Sequence, residues 1–461
     1  MGNRSLNSLN VLREVIVTSG PLMLAMSGYA LTMIVDRICL TLHSKESLEA
    51  FGPSVFTSMT MLTFGTGFVF SMQAYIASSS TEGGAPVFEK RFGDTVAMAG
   101  VVAAIVTAFF PVIIFATAVS GRPTAVVNLE QSYLLVAWAY IPIVIFNTAW
   151  TCLFTALGKT SIVFRTNFVG QTVSVLASIL LIFGIGPLPE LGIIGSGIGT
   201  LLGTALISVG YFVQAPAPYR KELKTTFTYP VAALVKIRTR IKNGVFVGLT
   251  DASDEAGNTA IMWATGLLGA ASLAANNFNI ILNWIAVLPM IGLGDGANAI
   301  AGKKASAGDR EGVQQTLLAS IGLAWLYGAI ITVSLYVGAT HVSDAFSLRN
   351  YGADVWAMSI GITQILWLYA AAFGLSYPTA RVLQAVGLSS FVLRTRLFVM
   401  FGLSVTSAFW ISTTFPHEQN AVVYIWISLS LFELLVGIVL LARLTLWART
   451  PRRAELRINT N

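Results

Sequence analysis

Two cysteines and three histidines among 461 residues leave little for metal, redox or nucleophilic chemistry. Cys39 and Cys152 fall near opposite faces of the apolar stretches that carry them, too far apart for a disulfide. His43, His341 and His417 lie in or near connecting segments and share no metal-ligand spacing with the cysteines. No nucleophile–base motif is present, so an enzymatic reading has no support and no metal or organic cofactor is expected. Charge is scarce as well: Asp, Glu, Lys and Arg make up 11% of the chain. Soluble domains carry about 25%, which excludes a soluble globular protein.

What is abundant is apolar sequence, 55% of residues with a mean hydropathy of +0.73. Hydrophobic runs of about 20 residues, each long enough to cross a bilayer, number about twelve. They begin near Val15, Phe51, Asp94, Gln131, Asn167, Gly192, Gly244, Leu273, Thr316, Asp354, Phe391 and Ala421. The first follows Arg4 and Arg13, lacks a small-residue cleavage site and leads to a second span, so it reads as a membrane helix. The net charge of +7 would suit nucleic acid, but the basic residues cluster in alternate connections. Only Arg37, Lys45, Arg122 and Arg349 fall on the opposite set. This asymmetry predicts a multi-pass cell-membrane protein with both termini cytoplasmic.

The chain carries an internal duplication. Ala156-Leu-Gly-Lys-Thr-Ser-Ile-Val-Phe-Arg-Thr166 returns as Ala385-Val-Gly-Leu-Ser-Ser-Phe-Val-Leu-Arg-Thr395, identical at six of eleven positions at an offset of 229. Leu48-Glu-Ala pairs with Leu273-Ala-Ala, and Gly65-Thr-Gly with Gly292-Leu-Gly, at offsets of 225 and 227. An offset of six spans keeps both copies in one orientation, which predicts parallel repeats with the substrate pathway between them. The expected organisation is all-α: a six-helix bundle over 1–213, a basic proline-bearing linker over 214–243, a second bundle over 244–447, and a basic tail over 448–461. The linker is expected near the anionic inner leaflet.

Acids inside spans are the main functional signal. Asp251, Asp254, Glu255 and Asn258 share one helical face about 100° wide in the seventh span. With a rise of about 1.5 Å per residue, Asp254 stands about 15 Å from Gly244, near mid-bilayer. A carboxylate there costs at least about 2.5 kcal/mol on insertion scales, so three acids point to a proton or cation pathway. Repulsion between them favours one holding a proton that it can exchange for cationic cargo. Asp251, one turn nearer the cytoplasm, is expected to serve the inner mouth.

In the eighth span Asn276, Asn279 and Asn283 form a polar stripe, read either as interhelical glue or as substrate contacts. Trp263 and Trp284 are candidates for stacking on an organic cation, as well as for interface anchoring. Tyr29, Thr32 and Asp36 share a face of the first span and would line a polar path if that helix continued toward Leu42. Gln73 is a further buried polar candidate. Asp295 is read as a helix end near the inner face and Glu433 as a bond between helices. No Lys or Arg other than Arg37 is expected within a span. An interior of acids, amides and aromatics suits a cationic or neutral substrate, whereas diphosphate cargo would call for interior arginines.

The order and spacing of several short stretches resemble the multidrug and toxic compound extrusion (MATE) family. They are the Pro21-bearing first span ending Ile34-Val-Asp36, Gln73 ahead of Glu82-Gly-Gly84, Ala156-Leu-Gly158, Leu191-Gly-Ile-Ile-Gly-Ser-Gly197, Leu273-Ala-Ala275, and Pro289-Met-Ile-Gly-Leu-Gly294 before Gly308-Asp309. The resemblance covers nearly the whole chain. It implies a twelve-helix antiporter, acting as a monomer, that exports small organic cations against inward protons or sodium. It also implies that Asp36 matches the family's first-helix aspartate and that the seventh-helix acid is Asp254 or Glu255. Ser174 and Ser178 stand where members often carry Asn and Asp, and apolar residues near Phe373 stand where some carry an acid; both departures favour protons over sodium. The alternatives are a flippase for a lipid-linked saccharide and a non-transporting membrane receptor or assembly protein.

Overall fold

The computed structural model describes residues 2–119, 124–228, 230–345, 348–416, 418 and 420–449. Arg122, His417 and the tail beyond Arg449 lie outside the described residues. Apart from short connections the described residues are helical, as lipid demands, because a helix satisfies its backbone N–H and C=O groups internally. The first half holds α1 (Gly2–His43), α2 (Lys45–Phe70), the short α3 (Gln73–Ala77) and α4 (Ser79–Glu82), then α5 (Ala85–Ala118), α6 (Thr124–Ala156), α7 (Thr160–Phe183) and α8 (Ile193–Gln214). The second half holds α10 (Pro230–Gly266), α11 (Ala270–Ser306), α12 (Arg310–Ala345), α13 (Ala353–Ala385), α14 (Ser389–Val399), α15 (Thr406–Thr414) and α16 (Ala421–Arg449). Between them lies α9 (Ala217–Thr228), so much of the predicted linker is helical and α10 starts well before Gly244.

Among the described residues, eleven segments are long and apolar enough to cross a membrane. The twelfth, α10, differs because its centre carries Asp251, Asp254 and Glu255. Twelve spans in two six-helix lobes result, as the apolar runs predicted. Cys39 and Cys152 are both free and buried.

The duplication extends to hydrogen-bond detail. In the first copy Leu157, Gly158 and Lys159 donate backbone N–H to the carbonyls of Leu153, Thr155 and Phe154. In the second, Val386, Gly387 and Leu388 donate to Val382, Gln384 and Leu383, every position displaced by 229. Gly158 and Gly387 both have positive φ, +69° and +87°, which is why glycine recurs at this helix end.

The lobes meet through α1 on α11 and α2 on α10. At Gly292 an added Cβ would stand 2.5 Å from the Leu22 backbone, so the helices touch main chain to main chain. The bonds joining the lobes gather on the side where α1 begins. They include Ser19 Oγ to the Leu293 carbonyl at 3.3 Å, Thr81 Oγ1 with Ser306 Oγ at 2.7 Å, and Lys304 Nζ with Glu14 Oε2 at 3.1 Å. Gln73 adds a short bond from its amide to the Asp295 carbonyl. This closed side is the floor beneath the cavity described next.

Candidate functional site: an acidic cavity between the lobes

Between the two lobes lies a cavity of about 420 Å³. Its lining brings together Tyr29, Asp36, Gln73, Asp251, Asp254, Glu255, Asn258, Asn283 and Trp284, residues from α1, α3, α10 and α11. The helix α1 does continue past Asp36, to His43. Asp36 is therefore buried among helices rather than at an interface, and its Oδ2 accepts a 2.8 Å bond from Ser196 Oγ. Thr32, one turn earlier, donates to Gln171 Oε1 at 2.8 Å.

Three predicted contacts face elsewhere. Asn276 Oδ1 accepts from Trp426 Nε1 at 2.9 Å. Asn279 donates to the carbonyls of Ala275 and Ser359 and accepts from Thr363 at 2.8 Å. Both amides bond to neighbouring helices, in line with the interhelical reading, and only Asn283 of the stripe lines the cavity. Trp263 is 69% exposed on the outer surface of α10. Its spacing put it about 100° from the face of Asn258 and Glu255, which already directs it away from the lining.

The expectation that the interior holds no cation is overturned. Arg381 on α13 and Arg396 on α14 both line the cavity and are 6% and 4% exposed. Arg381 binds Asp251 Oδ2 at 3.1 Å through Nη2 and Asp295 Oδ1 at 3.2 Å through Nε. It also donates to Tyr377 Oη and lies over the Phe70 ring at 4.6 Å, reaching across to α2 of the other lobe. Arg396 binds Asp254 Oδ2 at 2.9 Å and Glu433 Oε1 at 3.3 Å. Ser376 makes a short bond to the same Glu433 oxygen. Asp295 and Glu433 thus both line the cavity: Asp295 lies within α11 rather than at its end, and Glu433 does bond across helices, to α13 and α14.

The two arginines escaped sequence reading because Arg381 lies past the apolar run of its span and Arg396 at the very start of its own, where each counts as part of a connection. The helices run on past the apolar residues, α13 as far as Ala385. One signal was available: buried acids need counter-charges, and Asp295 and Glu433 had none nearby in sequence.

The site holds six carboxylates (Asp36, Asp251, Asp254, Glu255, Asp295, Glu433) against two guanidiniums. The arginines divide four of the acids between them. No ion pair or hydrogen bond joins the Glu255 carboxylate to another described side chain, and Asp36 has only hydroxyl company. Four buried lining atoms lack a hydrogen-bond partner among the described residues: Asp36 Oδ1, Gln73 Oε1, Asp254 Oδ1 and Asn283 Oδ1. All four are acceptors. Such a set takes protons, cations or N–H and O–H donors.

A family model described as MatE matches residues 254–410. The probable multidrug resistance protein NorM of Rhizobium meliloti (strain 1021) is 26% identical over 281 residues, 59% of this chain and 58% of NorM. The matched stretch is thus under two thirds of that relative's length. The probable multidrug resistance protein YoeA of Bacillus subtilis (strain 168) is 22% identical over 332 residues, 71% of this chain and 70% of YoeA. Among solved structures, an outward-facing multidrug resistance MATE family transporter superposes with a TM-score of 0.81 at 16% identity, covering 96% of this chain and 97% of that one. A MOP superfamily transporter from Pyrococcus furiosus, described as having a binding pocket of reverse polarity, gives 0.81 at 17% identity, covering 95% and 96%. At such identities the structural likeness speaks for the fold alone. The family model over residues 254–410 and the fold point the same way: the chain is similar to transporters of the multidrug and toxic compound extrusion (MATE) family.

Proposed function

We propose that this protein is a secondary active antiporter that exports small organic cations in exchange for protons or sodium by alternating access. The observation that carries this reading is the acceptor-only set of unpaired buried atoms in a cavity whose acids outnumber its arginines by six to two. Each unbalanced carboxylate in low dielectric favours an incoming positive charge. Tyr29, Trp284, Tyr369 and Phe373 add aromatic faces on which an organic cation can rest. The volume of about 420 Å³ lies in the range of small-molecule sites. Asp36 and Glu255, free of arginine, are the acids assigned to exchange; Asp251 and Asp254 are held in ion pairs. The driving force is about 2.3 kcal/mol per inward charge per 100 mV.

The interior arginines reopen the flippase alternative, since diphosphates are recognised by guanidinium groups. Each arginine is already bound by two carboxylates, which leaves neither free for an anion and keeps the cationic reading ahead. Efflux of a fluorescent cation from proteoliposomes under an imposed proton or sodium gradient tests the proposal. Movement of a lipid-linked saccharide without cation efflux would replace it. Asp36→Asn is expected to flatten the proton or sodium dependence of efflux, because it removes an exchangeable charge while keeping the Ser196 contact. Unchanged ion profiles in that variant would assign Asp36 a purely structural part.

A further inference from the structure

The C-terminal lobe gathers Asp254, Glu433 and Arg396 into one cluster at the cavity wall, a group that exchange at Asp36 and Glu255 does not use. With one guanidinium against two carboxylates, the cluster keeps one negative charge in excess. Asp254 Oδ2 is bound by Arg396 while Asp254 Oδ1, on the same carboxylate, has no partner among the described residues. One half of the carboxylate fork is occupied and the other is open.

The guanidinium reaches this position on a side chain with several rotatable bonds, whereas its acceptors are set by packing. One turn beyond Asp254, Gly257 abuts Met400, and an added Cβ there would lie 2.3 Å from Met400 Cγ. Met400 begins a stretch of wide π turns, Met400–Val405, that follows α14 directly. Single π turns are frequent where a helix serves a site. Beside the cluster, α10 and the turns that follow α14 are thus in close side-chain contact, and the Arg396 guanidinium can move by rotation about its own side-chain bonds.

We propose that Arg396 is a tethered counter-ion: it occupies the Asp254–Glu433 pair when cargo is absent and yields it to cargo that bears an N–H-donating cation. Cargo of this class, an amidinium or guanidinium above all, can reproduce the planar fork of donors that the carboxylates now receive. A quaternary or phosphonium cation offers no N–H and leaves Arg396 in place. The arginine thereby sets specificity and supplies the charge that the pair needs when cargo departs. This inference rests on the organic-cation reading above.

The test is binding of benzamidine and of tetraphenylphosphonium to the purified full chain in detergent, for wild type, Arg396→Gln and Arg396→Lys. With the internal competitor removed, Arg396→Gln is expected to bind benzamidine about 10-fold more tightly or better, and tetraphenylphosphonium within about 2-fold of wild type. Glu433→Gln added to Arg396→Gln should cancel the gain. Arg396→Lys, which keeps the charge but loses the fork, should show an intermediate gain and covers the case in which the glutamine variant does not fold. Unchanged or weaker benzamidine binding in the arginine variants would overturn the inference, as would an equal gain for both probes. Failure of wild type to bind either probe would instead remove the organic-cation reading itself.

Discussion

Glu255→Gln is expected to weaken cation binding and gradient-driven efflux by about 100-fold or more while the folded protein accumulates normally. Two unit charges about 4 Å apart attract by about 4 kcal/mol at an effective dielectric of 20, and each 1.4 kcal/mol is a factor of ten. Glutamine keeps the size of the side chain, and no described side chain loses an ion pair, because the Glu255 carboxylate has none. Asp254→Asn differs. It strips Arg396 of one of two partners, so lost transport there should come with lost thermal stability. Parallel efflux assays and melting curves on both variants separate the two acids. Wild-type efflux in each single variant and in the double variant would remove the acidic face of α10 from the mechanism.

The second large effect is expected at Arg381. Replacing it with Ala leaves Asp251 and Asp295 facing each other at the cavity floor without a counter-charge and removes the contact with Phe70. Breaking a buried ion pair by removing one partner costs about 3–5 kcal/mol. The melting temperature in detergent should fall accordingly, and accessibility labelling of the floor should rise, since Arg381 ties α13 and α10 to α2 of the other lobe. Neutralising the acids together with the arginine, as Asp251→Asn and Asp295→Asn with Arg381→Gln, should restore much of the stability but not the transport. A melting temperature unchanged by Arg381→Ala would show that the floor does not depend on this charge cluster.

Local pattern carried the sequence reading a long way. Runs of about 20 apolar residues located the spans, and the repeat at an offset of 229 reappears as identical helix-end hydrogen bonds around Gly158 and Gly387. Helical spacing placed Asp251, Asp254, Glu255 and Asn258 on a single face, and all four line the cavity. The same spacing could not tell Asn283 from Asn276 and Asn279, because the three share a face. Which of them meets the cavity depends on where Trp426, Ser359 and Thr363 stand on other helices.

The sequence by itself determined the class of molecule, its duplication and an excess of acids within the bilayer, since apolar length, helical period and charge cost are properties of single segments. Tertiary structure alone decided which acids are neutralised. Arg381 meets Asp251 across 130 positions and Arg396 meets Asp254 across 142. Pairing at that range follows from how the helices of the second lobe pack, and no local pattern encodes it. What packing leaves over is Asp36 and Glu255 without an arginine, and on these two the proposed exchange of positive charge depends.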